Sequence, residues 1–160
     1  MTPQLFTDQT YLRLAQGVAA AGTCLRGQYG ALWLGPEGQP LASGYNDAPP
    51  GLPRCNDWAD SPPADHLSIS QVGCDIEDNH CVRTIHAEMN GIIAAARRGL
   101  ILAGSTLYVS GRPCARCALA IVAVGACAVV WPEVQTYHND DPDRVLRTFE
   151  LGKVAVRVIA

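Results

Sequence analysis

The sequence is poor in several features that mark other classes of protein. Charged residues make up 17% of its 160 residues, the formal net charge is −3, and no basic stripe is visible. A protein that grips a polynucleotide usually shows a basic face, so we expect no polynucleotide partner. No apolar run is long enough to span a bilayer, and residues 1–10 lack the pattern of a signal peptide. We therefore expect a cytoplasmic protein with a small-molecule ligand and no membrane contact.

The composition that remains is that of a globular protein. Hydrophobic residues make up 48% of the chain, which is far above the level of disordered proteins. The length suits one domain with a sizeable core, and we predict a single domain over residues 1–160. A long stretch at about 47–80 is dense in Pro, Asp and Ser. A loop of this length needs an anchor or a function.

Two short motifs contain the residues that could perform chemistry. The first is His86-Ala87-Glu88, and the second is Pro113-Cys114-Ala115-Arg116-Cys117. His-x-Glu followed by Pro-Cys-x-x-Cys is the pattern of zinc-dependent nucleobase deaminases. Zinc takes nitrogen and sulfur ligands in a tetrahedron, and a catalytic site keeps one position open for water. His86, Cys114 and Cys117 are therefore the predicted ligands of a catalytic zinc ion.

Glu88 has a different predicted role from its neighbours. It lies two residues from His86, which is too close for a comfortable fourth ligand but well placed beside a water on the metal. Zinc lowers the pKa of that water, and Glu88 would carry its proton to the base and the leaving amine. The cysteine pair alone leaves a structural zinc, or two unrelated buried thiols, as alternatives.

Four other cysteines lie in or near the long irregular stretch. Seven cysteines in a reducing compartment are expected to include metal ligands rather than disulfides. We predict a second, structural zinc that pins the loop, with His80 as the replacement for one ligand. The alternative is that these cysteines are small buried hydrophobes. The predicted ligands are Cys24, Cys55, Cys74 and Cys81.

Hydrophobic periodicity predicts an α/β fold with helices on both faces of a mixed sheet. The order strand–helix–strand in the second half favours parallel pairing, and the site should lie where helix N-termini meet strand ends. Pro113 is expected in the first turn of its helix. The predicted helices are Asp8–Ala21, Glu88–Arg98, Ala118–Val124 and Asp141–Leu151. The predicted strands are Gln28–Leu34, Gln39–Tyr45, Ser105–Ser110, Ala126–Trp131 and Val154–Ile159.

The sequence resembles the deoxycytidylate (dCMP) deaminases of the cytidine deaminase superfamily. The resemblance lies in Gly44-Tyr45-Asn46, the run from His80 to Asn90, Thr106–Val109 and the Pro-Cys-x-x-Cys motif. It implies a three-layer α/β/α sandwich around a mixed five-stranded sheet, and hydrolysis of dCMP to dUMP and ammonia. It also implies a homohexamer that dCTP with Mg²⁺ activates and dTTP inhibits.

The same resemblance suggests which residues bind the nucleotide. Family positions matching Arg26 and Asn46 contact phosphate or sugar, and Arg26 suits a phosphate because its guanidinium offers paired donors. A tyrosine after the strand ending at Trp131 lies near the nucleotide in the family, which favours Tyr137. Trp131 is the other candidate for stacking on the base, although packing in the core is the commoner role of an aromatic residue.

Two residues depart from the family pattern. Asp47 stands where the family usually has Gly, and we expect it to bring negative charge near the phosphate site. Gly91 stands where the family usually has Ala, which weakens a helix by up to about 1 kcal/mol without affecting the chemistry.

Three other functions compete with dCMP deamination. One is a deaminase of the same fold that acts on another cytosine nucleotide, a nucleoside or an amino-heterocycle. Another is a nucleotide sensor without relevant catalysis, against which the intact Glu88 argues. The third is a polynucleotide editor, against which the lack of a basic stripe argues.

Overall fold

The computed structural model describes residues 6–58, 73–133 and 141–160. The helices of these ranges are α1 (Asp8–Ala19), α2 (Ala87–Arg97), α3 (Ala115–Ala123) and α4 (Pro142–Leu151). The strands are β1 (Gly30–Leu34), β2 (Pro40–Tyr45), β3 (Ile76–Glu77), β4 (His80–Cys81), β5 (Thr106–Val109), β6 (Ala128–Pro132) and β7 (Ala155–Ile159). None of the helices described is long and apolar enough to cross a membrane.

A mixed five-stranded sheet forms the centre of the fold, in the order β2-β1-β5-β6-β7. Strand β1 pairs antiparallel with β2 and β5, whereas β5, β6 and β7 run parallel. Helices α3 and α4 make the crossovers between the parallel strands, because parallel neighbours need a long connection. The predicted mixed sheet is confirmed.

Alternating residues of β1 place helices on both faces of this sheet. Leu32 and Leu34 are buried against α1 in one hydrophobic cluster. Ala31 and Trp33 belong to a larger cluster that includes buried residues of α2, α3 and α4. Successive side chains of a strand point to opposite faces, so α1 forms one outer layer and the other helices form the second. The predicted three-layer sandwich is confirmed.

A polar network ties α1 to the sheet. The hydroxyl of Tyr108 on β5 donates to Asp8 at 2.6 Å, and Arg157 on β7 donates to both carboxylate oxygens of Asp8 at 2.8 and 3.0 Å. Tyr108 is fully buried, and burial raises the pKa of its hydroxyl. The network satisfies a buried donor and joins the two ends of the chain.

Two glycines let α2 approach the sheet closely. A Cβ at Gly44 on β2 would clash with the carbonyl oxygen of Ala87 on α2. A Cβ at Gly91 on α2 would lie 2.5 Å from Nε1 of Trp33. Gly91, the departure from the family pattern, therefore makes room for the buried indole of β1. The contact seats the helix whose first turn bears Glu88.

The long stretch at 47–80 contains structure that periodicity did not predict. Strands β3 and β4 form a small hairpin, and Asp78 and Asn79 make its turn with φ of 47° and 65°. A single 3₁₀ turn covers Asn56–Trp58. The prediction of an irregular region up to Asn79 was wrong at this hairpin, because two-residue strands leave no period to detect. Residues 59–72 lie outside the described ranges.

The helix ends differ from prediction at α3. The helix begins at Ala115 rather than Ala118, with Cys114 as its N-cap. Pro113 therefore precedes the cap, and its predicted place in the first helical turn was wrong. A sulfur that accepts the N–H of Cys117 at 3.4 Å takes the part that a hydroxyl or carboxylate usually has at an N-cap.

Candidate active site

Helices α2 and α3 begin at the same point, where three metal-binding side chains meet. His86 is the N-cap residue of α2, and Cys114 is the N-cap residue of α3. Nδ1 of His86 lies 3.5 Å from Sγ of Cys114 and 3.6 Å from Sγ of Cys117. The three predicted catalytic ligands are thus brought together, with all donor atoms within 4.8 Å of one another.

These distances fit a zinc ion. Tetrahedral zinc with bonds of about 2.3 Å to sulfur and about 2.0–2.1 Å to nitrogen places those two ligand atoms about 3.5–3.6 Å apart. The pKa of Cys114 is lowered to about 3, chiefly because Cys117 hydrogen-bonds to its sulfur. The same hydrogen bond raises the pKa of Cys117, so Cys114 is the thiolate of the pair. A thiolate is the form that binds a metal, and the spacing of the donors suits a divalent cation.

Glu88 lies beside this cluster in the first turn of α2. Its side chain is buried, and burial raises the pKa of its carboxyl above the usual range. Charged groups are rarely buried unless they have a partner or a function. Here His86 opposes the rise in the pKa of Glu88 by its charge, and Cys117 opposes it by a hydrogen bond. The carboxyl is therefore held against the metal-binding side chains.

The other predicted cluster also assembles. Sγ of Cys24 lies 3.8 Å from Sγ of Cys74, and Sγ of Cys55 lies 3.6 Å from Sγ of Cys81. These pairs are far beyond the length of a disulfide, about 2.05 Å, and match the spacing of about 3.8 Å that tetrahedral zinc gives two thiolates. All four donor atoms lie within 4.8 Å of one another. The pKa of Cys81 is lowered to about 4, mainly by a hydrogen bond from Cys24.

His80, the predicted replacement ligand, has another position. The four cysteines come together without it. Its ring stacks on the ring of His86, with centroids 5.9 Å apart and planes inclined by 29°. His80 therefore lies between the two clusters.

A cavity opens between the clusters. Cys24 and Cys81 of one cluster and His86 and Cys114 of the other reach its wall, and so does Glu88. The remaining polar and aromatic wall residues are Arg26, Tyr29, Asn46, Asn79, His80 and Arg112. Two arginines against one carboxyl give the cavity a cationic wall, which suits a ligand with negative charge.

The predicted substrate residues have different positions. Arg26 and Asn46 both line the cavity. Asn46 also orders the loop beside it, because its side chain accepts the N–H of Tyr29 at 2.8 Å and donates to the carbonyl of Gly27 at 2.7 Å. Tyr137 lies outside the described residues. Trp131 is buried in the core, with its ring centroid 6.1 Å from that of Phe149, so the idea that it stacks on the base was wrong.

Asp47 does not direct its charge into the cavity. Its carboxylate accepts from the hydroxyl of Thr23 at 2.6 Å and forms an ion pair with Arg54 at 3.3 Å. Its backbone forms a β-bridge with Ile85, the residue before His86. The expectation that Asp47 brings charge to the phosphate site is therefore corrected. The residue joins the loop after β2 to the start of α2.

Sequence reasoning missed Tyr29, Asn79 and Arg112 as wall residues. Tyr29 lies just before β1 and Arg112 lies three residues after β5, and these strands are neighbours, since Ala31 on β1 pairs with Val109 on β5. Continuing that register brings the two wall residues to the same edge of the sheet. The sequence alone did not show that β1 and β5 are neighbours, so it could not place these two residues together.

Comparison with known proteins identifies the family. The family described as "Cytidine and deoxycytidylate deaminase zinc-binding region" matches residues 6–133. The deoxycytidylate deaminase of Mycobacterium phage D29 is 31% identical over 128 residues, which cover 79% of this chain and 94% of that protein. The chain belongs to the cytidine and deoxycytidylate deaminase family. The resemblance noted from the motifs is confirmed.

Two further proteins are similar to this chain. ComE operon protein 2 of Bacillus subtilis (strain 168) is 32% identical over 135 residues, 84% of this chain, and the match spans 61% of that protein's length. A dCMP deaminase from the cyanophage S-TIM5, solved in complex with dCMP and dUMP, superposes with a TM-score of 0.71. That match covers 99% of each chain at 22% identity, which supports the fold. The zinc-binding description of the family fits the His-Cys-Cys cluster.

Proposed function

We propose that this protein deaminates dCMP by hydrolysis, giving dUMP and ammonia. One observation supports the proposal above all others. The buried carboxyl of Glu88 lies beside a His-Cys-Cys cluster, at the wall of a cavity that also contains two arginines. A proton-transferring group, a metal cluster and a cationic wall are what a deaminase of nucleotides needs. The named deoxycytidylate deaminases among the relatives support the choice of substrate.

The protein's own residues account for the reaction as follows. His86, Cys114 and Cys117 would hold zinc, which when bound supplies a Lewis acid that lowers the pKa of the attacking water. Glu88 accepts a proton from that water while the oxygen bonds to C4 of the cytosine. Glu88 passes this proton to N3 of the ring, and then carries the second proton of the water, from the new hydroxyl on C4, to the departing amine. The C4–N bond breaks, and water and dCMP are converted into dUMP and ammonia.

The wall of the cavity would orient the nucleotide. Arg26 suits the 5′-phosphate, since its planar guanidinium can donate paired hydrogen bonds to phosphate oxygens. Asn46 is placed to meet the sugar. One hydrogen of its amide nitrogen is used by Gly27, and an amide offers two. Both roles remain proposals for direct test.

The four-cysteine cluster would hold a second zinc with a structural role. Its sulfurs come from the loop before β1, the stretch after β2 and the β3–β4 hairpin. A metal there would close these segments together, and binding free energy would become folding free energy. Four sulfur ligands leave no open position for water, as in structural zinc sites.

Several expectations remain predictions. They are activation by dCTP with Mg²⁺, inhibition by dTTP, assembly into a homohexamer, a cytoplasmic location and the lack of a polynucleotide partner. A single domain over residues 1–160 and a nucleotide contact by Tyr137 also remain predictions.

A substrate panel tests the proposed function. Ammonia release from the zinc-loaded protein should give the highest kcat/KM with dCMP. Deoxycytidine should be poorer by about tenfold or more, because it lacks the charge-assisted bonds to the phosphate. Equal turnover of deoxycytidine and dCMP, or a preference for another amino-heterocycle, would favour the rival deaminases. No ammonia from any substrate, with dCMP still bound, would favour the sensor.

A further inference from the structure

The turn between β3 and β4 is hydrogen-bonded to Arg26. Nη1 of Arg26 donates to the backbone carbonyl of Asn79 at 2.8 Å, and Nη2 donates to its side-chain Oδ1 at 2.7 Å. The two partners are 53 residues apart in the sequence, so the contact joins separate segments. Both residues line the cavity next to the catalytic cluster.

The backbone at Asn79 makes this double contact available. Asn79 has a φ of 65° and its neighbour Asp78 has a φ of 47°. Asn and Asp adopt such left-handed conformations more readily than other side-chain-bearing residues. In this turn the carbonyl and the side chain of Asn79 both reach the terminal nitrogens of one guanidinium. The residue type therefore suits the backbone and the arginine together.

Both partners are also fixed by the four-cysteine cluster. Cys24 lies two residues before Arg26, and Cys81 lies two residues after Asn79. Sulfurs of both cysteines belong to the same cluster. The contact between Arg26 and Asn79 thus spans two chain segments that are already held together at one end. The two hydrogen bonds restrict a guanidinium that is otherwise exposed to solvent.

We propose that Asn79 is a positioning residue, which holds the Arg26 guanidinium toward the phosphate of a nucleotide in the cavity. This inference rests on the proposed function, in which Arg26 meets the 5′-phosphate. An arginine has five N–H donors, and Asn79 occupies two, so three stay available. A side chain ordered before binding loses less conformational entropy when the ligand arrives. Asn79 would then increase affinity for nucleotides over nucleosides.

Two glycine variants in the same turn distinguish the positioning of Arg26 by Asn79 from a general stabilisation of the hairpin by this turn. Asn79→Gly keeps the left-handed backbone and the carbonyl acceptor but removes Oδ1. Asp78→Gly makes the same backbone change at a residue that does not line the cavity. Asn79→Gly should raise the KM for dCMP about threefold to tenfold, the effect of losing one ordinary, solvent-exposed hydrogen bond. Its kcat, its KM for deoxycytidine and its zinc content should stay unchanged.

The control variant is Asp78→Gly. Asp78→Gly should not raise the KM for dCMP. The proposal is overturned if both glycine variants raise this KM alike, since that would reflect a loosened turn. It is also overturned if Asn79→Gly changes nothing, or if it raises the KM for dCMP and deoxycytidine by the same factor.

A double-mutant cycle tests whether Asn79 acts through Arg26. In an Arg26→Gln background, Asn79→Gly should leave the KM for dCMP unchanged, because the side chain that it positions is gone. An equal additional rise in that background would overturn the proposal.

Binding of the product makes the test independent of turnover. Calorimetry of the zinc-loaded protein should show dUMP binding weakened by Asn79→Gly by the same factor as the KM, with deoxyuridine unaffected. If the native protein binds dUMP in this way but releases no ammonia from dCMP, the proposed function fails and the positioning role stands. If the native protein does not bind dUMP, or binds dUMP and deoxyuridine equally well, the positioning role is overturned.

Discussion

Replacing Gly91 with alanine should destabilise the protein, although alanine is the better helix former. The new Cβ would lie 2.5 Å from Nε1 and 2.7 Å from Cδ1 of Trp33, roughly 1 Å inside the contact distance of about 3.5–4.0 Å. Trp33 is fully buried on β1, an inner strand of the sheet, so its indole cannot move into solvent. Helix α2 or the indole must shift instead.

The magnitude follows from two opposing effects. Overpacking a core costs about 1–3 kcal/mol, and alanine recovers up to about 1 kcal/mol of helix propensity. Gly91→Ala should therefore lower the free energy of unfolding by up to about 2 kcal/mol. Gly17→Ala is the matched control in α1, since nothing lies within 4 Å of its Cβ. That change should raise the free energy of unfolding by about 0.5–1 kcal/mol.

Urea unfolding measures the free energy of unfolding of both variants. The zinc concentration must be saturating and the same for both, because bound metal adds to the apparent stability. The midpoints should move in opposite directions with unchanged slopes. A Gly91→Ala protein as stable as Gly17→Ala would refute the reasoning, because the contact with Trp33 would then have no cost.

Three further predictions concern the other features of the fold. Cys55→Ser should reduce bound zinc from about two to about one per chain, because a structural site needs all four ligands. The control Cys127→Ser changes an exposed residue outside both clusters and should retain both ions. Equal zinc in the two variants would exclude the second site. Asp8→Asn should cost about 1–2 kcal/mol in urea unfolding because the buried hydroxyl of Tyr108 loses its charged acceptor, and no loss relative to the exposed Asp75→Asn would contradict this. Chelation followed by zinc addition should abolish and then restore ammonia release, whereas full activity in the metal-free protein would refute a catalytic metal.

The strands and helices were predictable because most have a clear period. β1 is a short, wholly apolar run that ends at a Gly-Pro turn, and the helical pattern after His86 marks α2. The β3–β4 hairpin was missed, since its two-residue strands have no period and its turn depends on left-handed Asp78 and Asn79. The loss of helix propensity at Gly91 was visible in the sequence, but its close contact with Trp33 was not. Contacts between separate elements cannot be read from a local pattern.

The site residues that could be predicted from the sequence were those whose residue type has a distinctive chemistry. Histidine and cysteine at short spacing point to a metal wherever they occur, and the four scattered cysteines were chosen by residue type. Trp131, the second candidate for stacking on the base, has the commoner role of an aromatic residue in the core, because it is buried beside Phe149. Tyr29 and Arg112 were missed because only the pairing of β1 with β5 brings them to the same edge of the sheet.

Formation of dUMP from dCMP by the zinc-loaded protein, with Glu88→Gln measured beside it, tests the central claim most directly. The native protein should produce dUMP and ammonia in equal amounts. Glu88→Gln should retain its fold and metal yet lose about 100-fold or more of the rate, as expected when a general acid–base group is removed. Glu150→Gln, a change at an exposed residue of α4, should match the native rate. Absence of dUMP with the native protein, or substantial turnover by Glu88→Gln, would contradict the account.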